Sequence, residues 1–189
     1  LPEQAQALLM IEIDGNKNCI DHQSKAIEKT VKNSGCLEYK VAQTKAETDE
    51  LWKTRKALSP ALRKIAPKKI NEDIVVPIAN IPILLRQIEK LSQKYHIAIV
   101  NFGHAGNGNI HVNLLTNPDD PEKLELAYQC LEELFKLVLA LDGTLSGEHG
   151  IGLEKKDYVH WELSETNMQL MLAVKKQFDP NGILNPGKL

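Results

Sequence analysis

Apolar positions along the chain recur with two different periods, one suited to strands and one to helices. Ala7-Leu8-Leu9-Met10-Ile11-Glu12-Ile13 is a short apolar run closed by Asp14-Gly15, which predicts a strand and a turn. Ile20, Ile27 and Val31 then recur near helical spacing, with Ser34-Gly35 as the C-terminal stop. Leu37 to Val41 alternates apolar and polar residues, as a strand with one solvated face does. Thr44 and Glu47 match a capping box that opens a helix towards Leu62, with Leu51, Leu58, Leu62 and Ile65 as its apolar stripe.

Asp73-Ile74-Val75-Val76-Pro77 predicts a short strand that Pro77 ends or edges. Ile83, Leu84, Ile88, Leu91 and Tyr95 mark the next helix, and Ile97–Phe102 and Ile110–Leu115 are two further strands. Asp120-Pro121 opens a helix that buries Leu124, Ala127, Leu131, Leu134, Phe135 and Val138, and Asp142-Gly143 closes it. Ser164 caps a last helix running through Met168, Met171, Leu172 and Phe178. The order β-α-β-α-β-α-β-β-α-α has no internal repeat and no low-complexity linker. It predicts one α+β domain over residues 1–189: a ferredoxin-like antiparallel or mixed sheet covered by helices, with a C-terminal helical segment. No glycine-rich turn joins a strand to a helix, which argues against a self-contained Rossmann nucleotide site.

Composition changes this picture little. A 42% hydrophobic content and a net charge of −2 fit a globular core and leave no basic excess for nucleic acid. The most basic run, Arg63 to Lys69, reads as a solvated helix end, with phosphate or lipid contact as the alternative. No stretch has the apolar length of a membrane span, and no signal peptide is visible. Cys19, Cys36 and Cys130 are an odd count at unrelated spacings, which fits a reducing compartment better than a disulfide framework. The chain begins at Leu1, directly before an apolar run, and so reads as part of a longer protein.

Candidate chemistry concentrates in three places. The segment from Asn101 to Asn113, NFGHAGNGNIHVN, contains Asn107-Gly108, a strong two-residue hairpin signal. With those residues at the tip, His104 directly opposes His111 on a polar face that also carries Asn113, where two imidazoles can chelate a divalent metal. The glycines around them leave room for a ligand. In GTLSGEHGIG, Gly143 to Gly152, Glu148 can complete a His-His-Glu site and His149 can act as a general base. Such a loop also serves as a plain connection. Trp52 and Arg55 lie one helical turn apart; Arg55 suits a carboxylate, or equally covers Trp52 with its stem.

With these clusters in view, the chain resembles the C-terminal domain of FAD-linked oxidases of the vanillyl-alcohol-oxidase type, especially the 2-hydroxy acid branch acting on glycolate, D-lactate and D-2-hydroxyglutarate. Five ordered motifs carry the resemblance: LWKTRKAL, EDIVVP, FGHAGNGNIHVN, GTLSGEHGIG and FDPNGILNPGK. It implies that His104, His111 and Glu148 hold a divalent metal, zinc or manganese. It implies that His149 removes the substrate hydroxyl proton, that Arg55 grips the carboxylate, and that Asn113 lines the substrate pocket. Asn185 matches the tail that approaches the flavin. The implied protein is cytoplasmic, at most peripheral to the inner membrane. Its implied partners are an N-terminal FAD-binding domain, a small 2-hydroxy acid substrate, an electron-transfer subunit and a second copy in a homodimer. Family members usually carry aspartate at the position of Asn107, so this chain lacks one local charge. The residues alone leave two rivals open: a metal-dependent hydrolase and a non-catalytic α+β binding module.

Overall fold

The computed structural model describes residues 4–32 and 35–188, so the stop expected at Ser34 lies outside the described residues. The chain forms two compact units, Leu1–Lys56 and Ala57–Leu189. In the first unit, helix α1 (Lys17–Val31) starts at Asn16, whose side chain accepts the Cys19 N–H. Ile20, Ile27 and Val31 are half-buried, as their spacing predicts, together with Ser24 and Glu28. Helix α2 (Lys45–Leu62) opens on the expected capping box: Thr44 Oγ1 accepts from Glu47 N at 3.2 Å, and Glu47 Oε2 accepts from Thr44 N at 3.0 Å.

The strands expected over 7–13 and 37–41 do not form among the described residues. Their alternation is sound, but a strand also needs a neighbour for its N–H and C=O groups, and the described residues of the first unit offer none. Leu8, Leu9, Ile11, Leu37 and Val41 are accordingly exposed.

The second unit is a three-stranded antiparallel sheet in the order β1-β3-β2, with β1 at Lys68–Val75, β2 at Ile99–His104 and β3 at Asn109–Thr116. Strands β1 and β2 run parallel on either side of β3 and are joined through helix α3 (Ile81–Tyr95). This is the split β-α-β arrangement of a ferredoxin-like sheet. Ile70 and Ile74 of β1 with Ile110, Val112 and Leu114 of β3 face one way. They pack against Leu84 and Ile88 of α3 and against Ala127, Leu131, Leu134, Phe135 and Val138 of helix α4 (Pro121–Ala140). Asp120 caps α4 by accepting the Lys123 N–H. Strand β1 begins five residues before the expected start at Asp73, because polar residues from Lys68 to Glu72 hide its alternation.

Beyond α4, helices α5 (Val159–Glu162) and α6 (Glu165–Phe178) form the C-terminal helical segment, with Ser164 accepting the Asn167 N–H as the expected cap. Tyr158 stands edge-on between Phe135 and Trp161, at 5.0 Å from each, and pins the start of this segment to α4. Helix α6 has no buried residue; Leu170, Leu172, Val174 and Phe178 are exposed.

One backbone contact sets the sheet's corner. Gly108 has φ 81°, and its carbonyl accepts the Val76 N–H. A Cβ there would lie 2.1 Å from the Val76 oxygen. Gly108→Ala is therefore expected to destabilise the protein by about 2–4 kcal/mol, read as a lower denaturant midpoint at unchanged slope. An unchanged midpoint would rule out that contact.

Candidate metal centre and active site

The hairpin that carries both histidines turns differently from the two-residue expectation. Ala105–Asn107 form one turn of 3-10 helix and Gly108 closes it in the left-handed region. The register therefore pairs His104 with Asn109, Phe102 with His111 and Val100 with Asn113. His104 lies diagonally from His111, not opposite it. The shift is two residues, and side chains alternate with period two, so both imidazoles keep the same face. Their ring centroids are 5.6 Å apart, close to perpendicular. The longer turn has local causes. Asn107 Oδ1 accepts the Asn109 N–H at 3.2 Å, which closes a side-chain turn, and the Gly108 carbonyl is tied to Val76.

The second element is the segment after α4, laid along the free edge of β1. Val75 and Thr144 exchange both backbone hydrogen bonds, and the Asp73 carbonyl accepts the Gly147 N–H. Glu162 holds the same segment from the other side, accepting from Thr144 Oγ1 at 2.6 Å and Leu145 N at 2.9 Å. Gly147 must be glycine for this approach, since a Cβ would meet Val75 Cγ2 at 2.7 Å. The strap delivers Glu148 and His149 to the polar face of the hairpin. Glu148 Oε1 lies 3.0 Å from His111 Nε2 and 3.8 Å from His149 Nε2, and the His149 ring stacks on His111 at 5.4 Å.

The donor atoms of His104, His111 and Glu148 all fall within 4.8 Å of one another. Three ligands with bonds of about 2.1 Å to a tetrahedral ion stand roughly 3.4 Å apart, so small rotations of the exposed His104 and Glu148 close the set. Two imidazoles and one carboxylate with an open side is the donor set of a catalytic divalent site. His111 is 8% exposed; burial lowers its pKa, with Glu148 pulling in the opposite direction. A neutral imidazole with a free lone pair is the form that binds a cation.

Behind the candidate ligands lies a residue that the sequence shows only as part of a strand. Asp73, the cross-strand partner of His111, is fully buried and accepts from the backbone N–H groups of Gly147, Glu148 and His149. Its other oxygen pairs with Lys155 Nζ, itself 3% exposed and 3.2 Å from Glu72. Burial pushes the Asp73 carboxyl up, but the Lys155 ammonium and the Glu148 and His149 N–H groups outweigh it and hold the group well below the carboxylate range. Glu72 moves the other way: burial raises it and Lys155 offsets only part. A buried charge needs its partner (here Lys155, 82 residues away), and nothing local in the sequence announces that pairing.

Across residues 1–189 the chain matches the family model described as FAD linked oxidases, C-terminal domain. The chain belongs to this family. It is 36% identical over 189 residues to the glycolate oxidase subunit GlcD of Bacillus subtilis, covering 100% of this chain and 40% of that protein. It is 35% identical over 167 residues to a D-2-hydroxyglutarate dehydrogenase of Stutzerimonas stutzeri, covering 86% of this chain and 35% of that protein. A D-lactate dehydrogenase of Anaerostipes hadrus is 33% identical over 187 residues, covering 97% of this chain and 39% of that one. The chain thus spans about two fifths of the length of these relatives.

The remaining expected residues of this FAD-oxidase C-terminal domain occupy different settings. Asn113 is fully buried on the histidine face. Its amide donates to the Val100 and His111 carbonyls, and its oxygen accepts from Asn71 at 2.9 Å and Lys69 at 3.3 Å. All of its polar capacity is engaged, and one of its partners, Lys69, is a cation. Lys68 and Lys69 belong to β1 and are not a solvated helix end. Arg55 and Trp52 are half-buried on α2 in the first unit. Asn185 is exposed with φ 47°, and its carbonyl accepts the Lys188 N–H. Gly108 and Gly147 clear the chain's own backbone and neighbours, whereas Gly106, Gly150 and Gly152 face open space. Among the described residues no helix is long and apolar enough to cross a membrane.

Proposed function

We propose that residues 1–189 form the substrate and cap domain of a flavin-dependent 2-hydroxy acid dehydrogenase or oxidase of the glycolate or D-lactate type. The observation that carries this reading is the convergence of His104, His111, Glu148 and His149 on one sheet face in a chain of the FAD-linked oxidase family. When bound, a divalent cation (zinc or manganese) supplies a Lewis acid that lowers the hydroxyl pKa, and FAD supplies the two-electron acceptor for C2. His104, His111 and Glu148 are the residues that hold the cation. His149, stacked on His111, is placed to take the hydroxyl proton at Nε2. Arg55 supplies a planar fork for the substrate carboxylate, and Asn113 with Lys69 forms the polar floor of the pocket. Asn185 belongs to the tail that approaches the flavin.

The partner required is an N-terminal FAD-binding domain. Two findings support it: the relatives extend well beyond the matched length, and α6 exposes an apolar face of the kind that marks interfaces. An electron-transfer subunit, a homodimer and a cytoplasmic site peripheral to the inner membrane complete the reading. The test is dye reduction by the full-length protein with glycolate, D-lactate and D-2-hydroxyglutarate. Flavin-linked oxidation of at least one acid is expected. Flavin-independent ester or amide cleavage would replace this reading with a metal hydrolase, and no turnover of any kind with a binding module.

A further inference from the structure

Glu148 and His149 have side chains that are 48% exposed, so packing does little to hold them. What holds them is their backbone. Asp73 Oδ2 accepts three consecutive N–H groups, from Gly147 at 3.0 Å, Glu148 at 2.5 Å and His149 at 2.7 Å. Successive N–H groups converging on one anion fix the turn that carries them, and hence the direction of each Cβ. Ser146 adds a second tie: its hydroxyl lies 3.4 Å from both Asp73 oxygens and accepts the Gly150 N–H at 2.8 Å. Asp73 itself cannot shift, because β1 pairs it with His111 and its Oδ1 is held by Lys155 Nζ at 2.5 Å. That same Oδ1 lies 3.5 Å from His149 Nδ1. The separation is too long for a strong hydrogen bond, but it sets Nδ1 on the Asp73 side of the ring and Nε2 on the Glu148 side.

We infer that Asp73, locked by Lys155, is the positioning residue of the centre: it sets the 146–149 turn so that Glu148 reaches His104 and His111 and His149 lies against them. One carboxylate thereby serves both a metal ligand and the base. A carboxylate behind a ligand commonly tunes a metal site through a ligating histidine. Here it acts through the backbone of the loop, so the effect falls on where Glu148 and His149 stand. The turnover part of the inference rests on the function proposed above; the metal part does not.

The test uses Asp73→Asn and Asp73→Ala in the full-length enzyme, at temperatures well below either variant's unfolding. Asparagine keeps the shape and one acceptor but removes the charge that Lys155 and the three N–H groups require. Manganese affinity is expected to fall about 10–100-fold, more for alanine than for asparagine. The visible spectrum of the cobalt-substituted site should change. At saturating metal, kcat should remain low while KM for the acid moves less, because His149 stays displaced. A purely structural Asp73 would lower the melting temperature and leave affinity, spectrum and kcat at their original values; that result overturns the inference. If Asp73→Ala does not fold, Asp73→Asn decides. If neither folds, Ser146→Ala loosens the same turn with the Asp73–Lys155 pair intact, and undiminished manganese affinity there overturns the inference. Weakened metal binding in an enzyme that oxidises no 2-hydroxy acid leaves the positioning role standing and removes the proposed reaction.

Discussion

His104→Ala in the full-length enzyme is expected to lower manganese or zinc affinity by more than about 100-fold, beyond what changes behind a ligand produce. Stability should hold. His104 is exposed at the rim of the hairpin and touches His111 only edge to edge at 5.6 Å, so its truncation removes a ligand and opens no cavity. A surface truncation of this kind costs within about 0.5 kcal/mol. Glu148→Gln supplies the matched control: the side chain keeps its size while losing the charge that faces His111 at 3.0 Å. Both variants should bind metal weakly in chelator-competition titrations and regain part of their turnover in excess metal. Wild-type affinity in both would dismiss the three-residue centre. His111→Ala is less informative, because His111 is 8% exposed and its loss confounds packing with coordination.

His149→Asn should behave in the opposite way, keeping the metal and losing the chemistry. The ring stacks on His111 with its Nδ1 turned towards Asp73, which is the arrangement of a base oriented by a carboxylate. Loss of a positioned general base costs about 10²–10⁴ in rate. Stopped-flow flavin reduction at saturating acid should slow by that factor, with metal content unchanged and no rescue by added metal. If reduction proceeds at the original rate, the proton leaves by another route and His149 is no base. The pair of experiments separates ligand from base, since metal rescues only the first class.

Several parts of this arrangement are legible in the residues alone. Thr44 with Glu47, Asp120 with Pro121 and Ser164 announce helix starts through bonds made within three residues, and all three form as read. The buried stripe of α4 follows from its spacing alone. The apolar runs at 7–13 and 37–41 read equally well as strands and are not, because pairing needs a neighbour that no local pattern specifies. The hairpin shows both behaviours. Asn107-Gly108 correctly marks a turn, and period-two alternation correctly puts His104, His111 and Asn113 on one face. The register still slipped by two, since the tie from Gly108 to Val76 comes from another strand's end.

By itself the sequence determined the candidate ligand types, the shared sheet face of the two histidines and the family, because these depend on residue identity, on alternation and on ordered motifs along one strand or loop. Only the tertiary structure decided that Glu148 and His149 arrive at that face, and that Asp73 and Lys155 hold them there. Those contacts join residues 37 to 82 positions apart in the chain; they exist once β1 is paired and the segment after α4 is strapped to its edge. A buried carboxylate that organises a turn looks, in one dimension, like a polar residue in an ordinary strand. Its meaning comes from burial, and burial is a property of the fold.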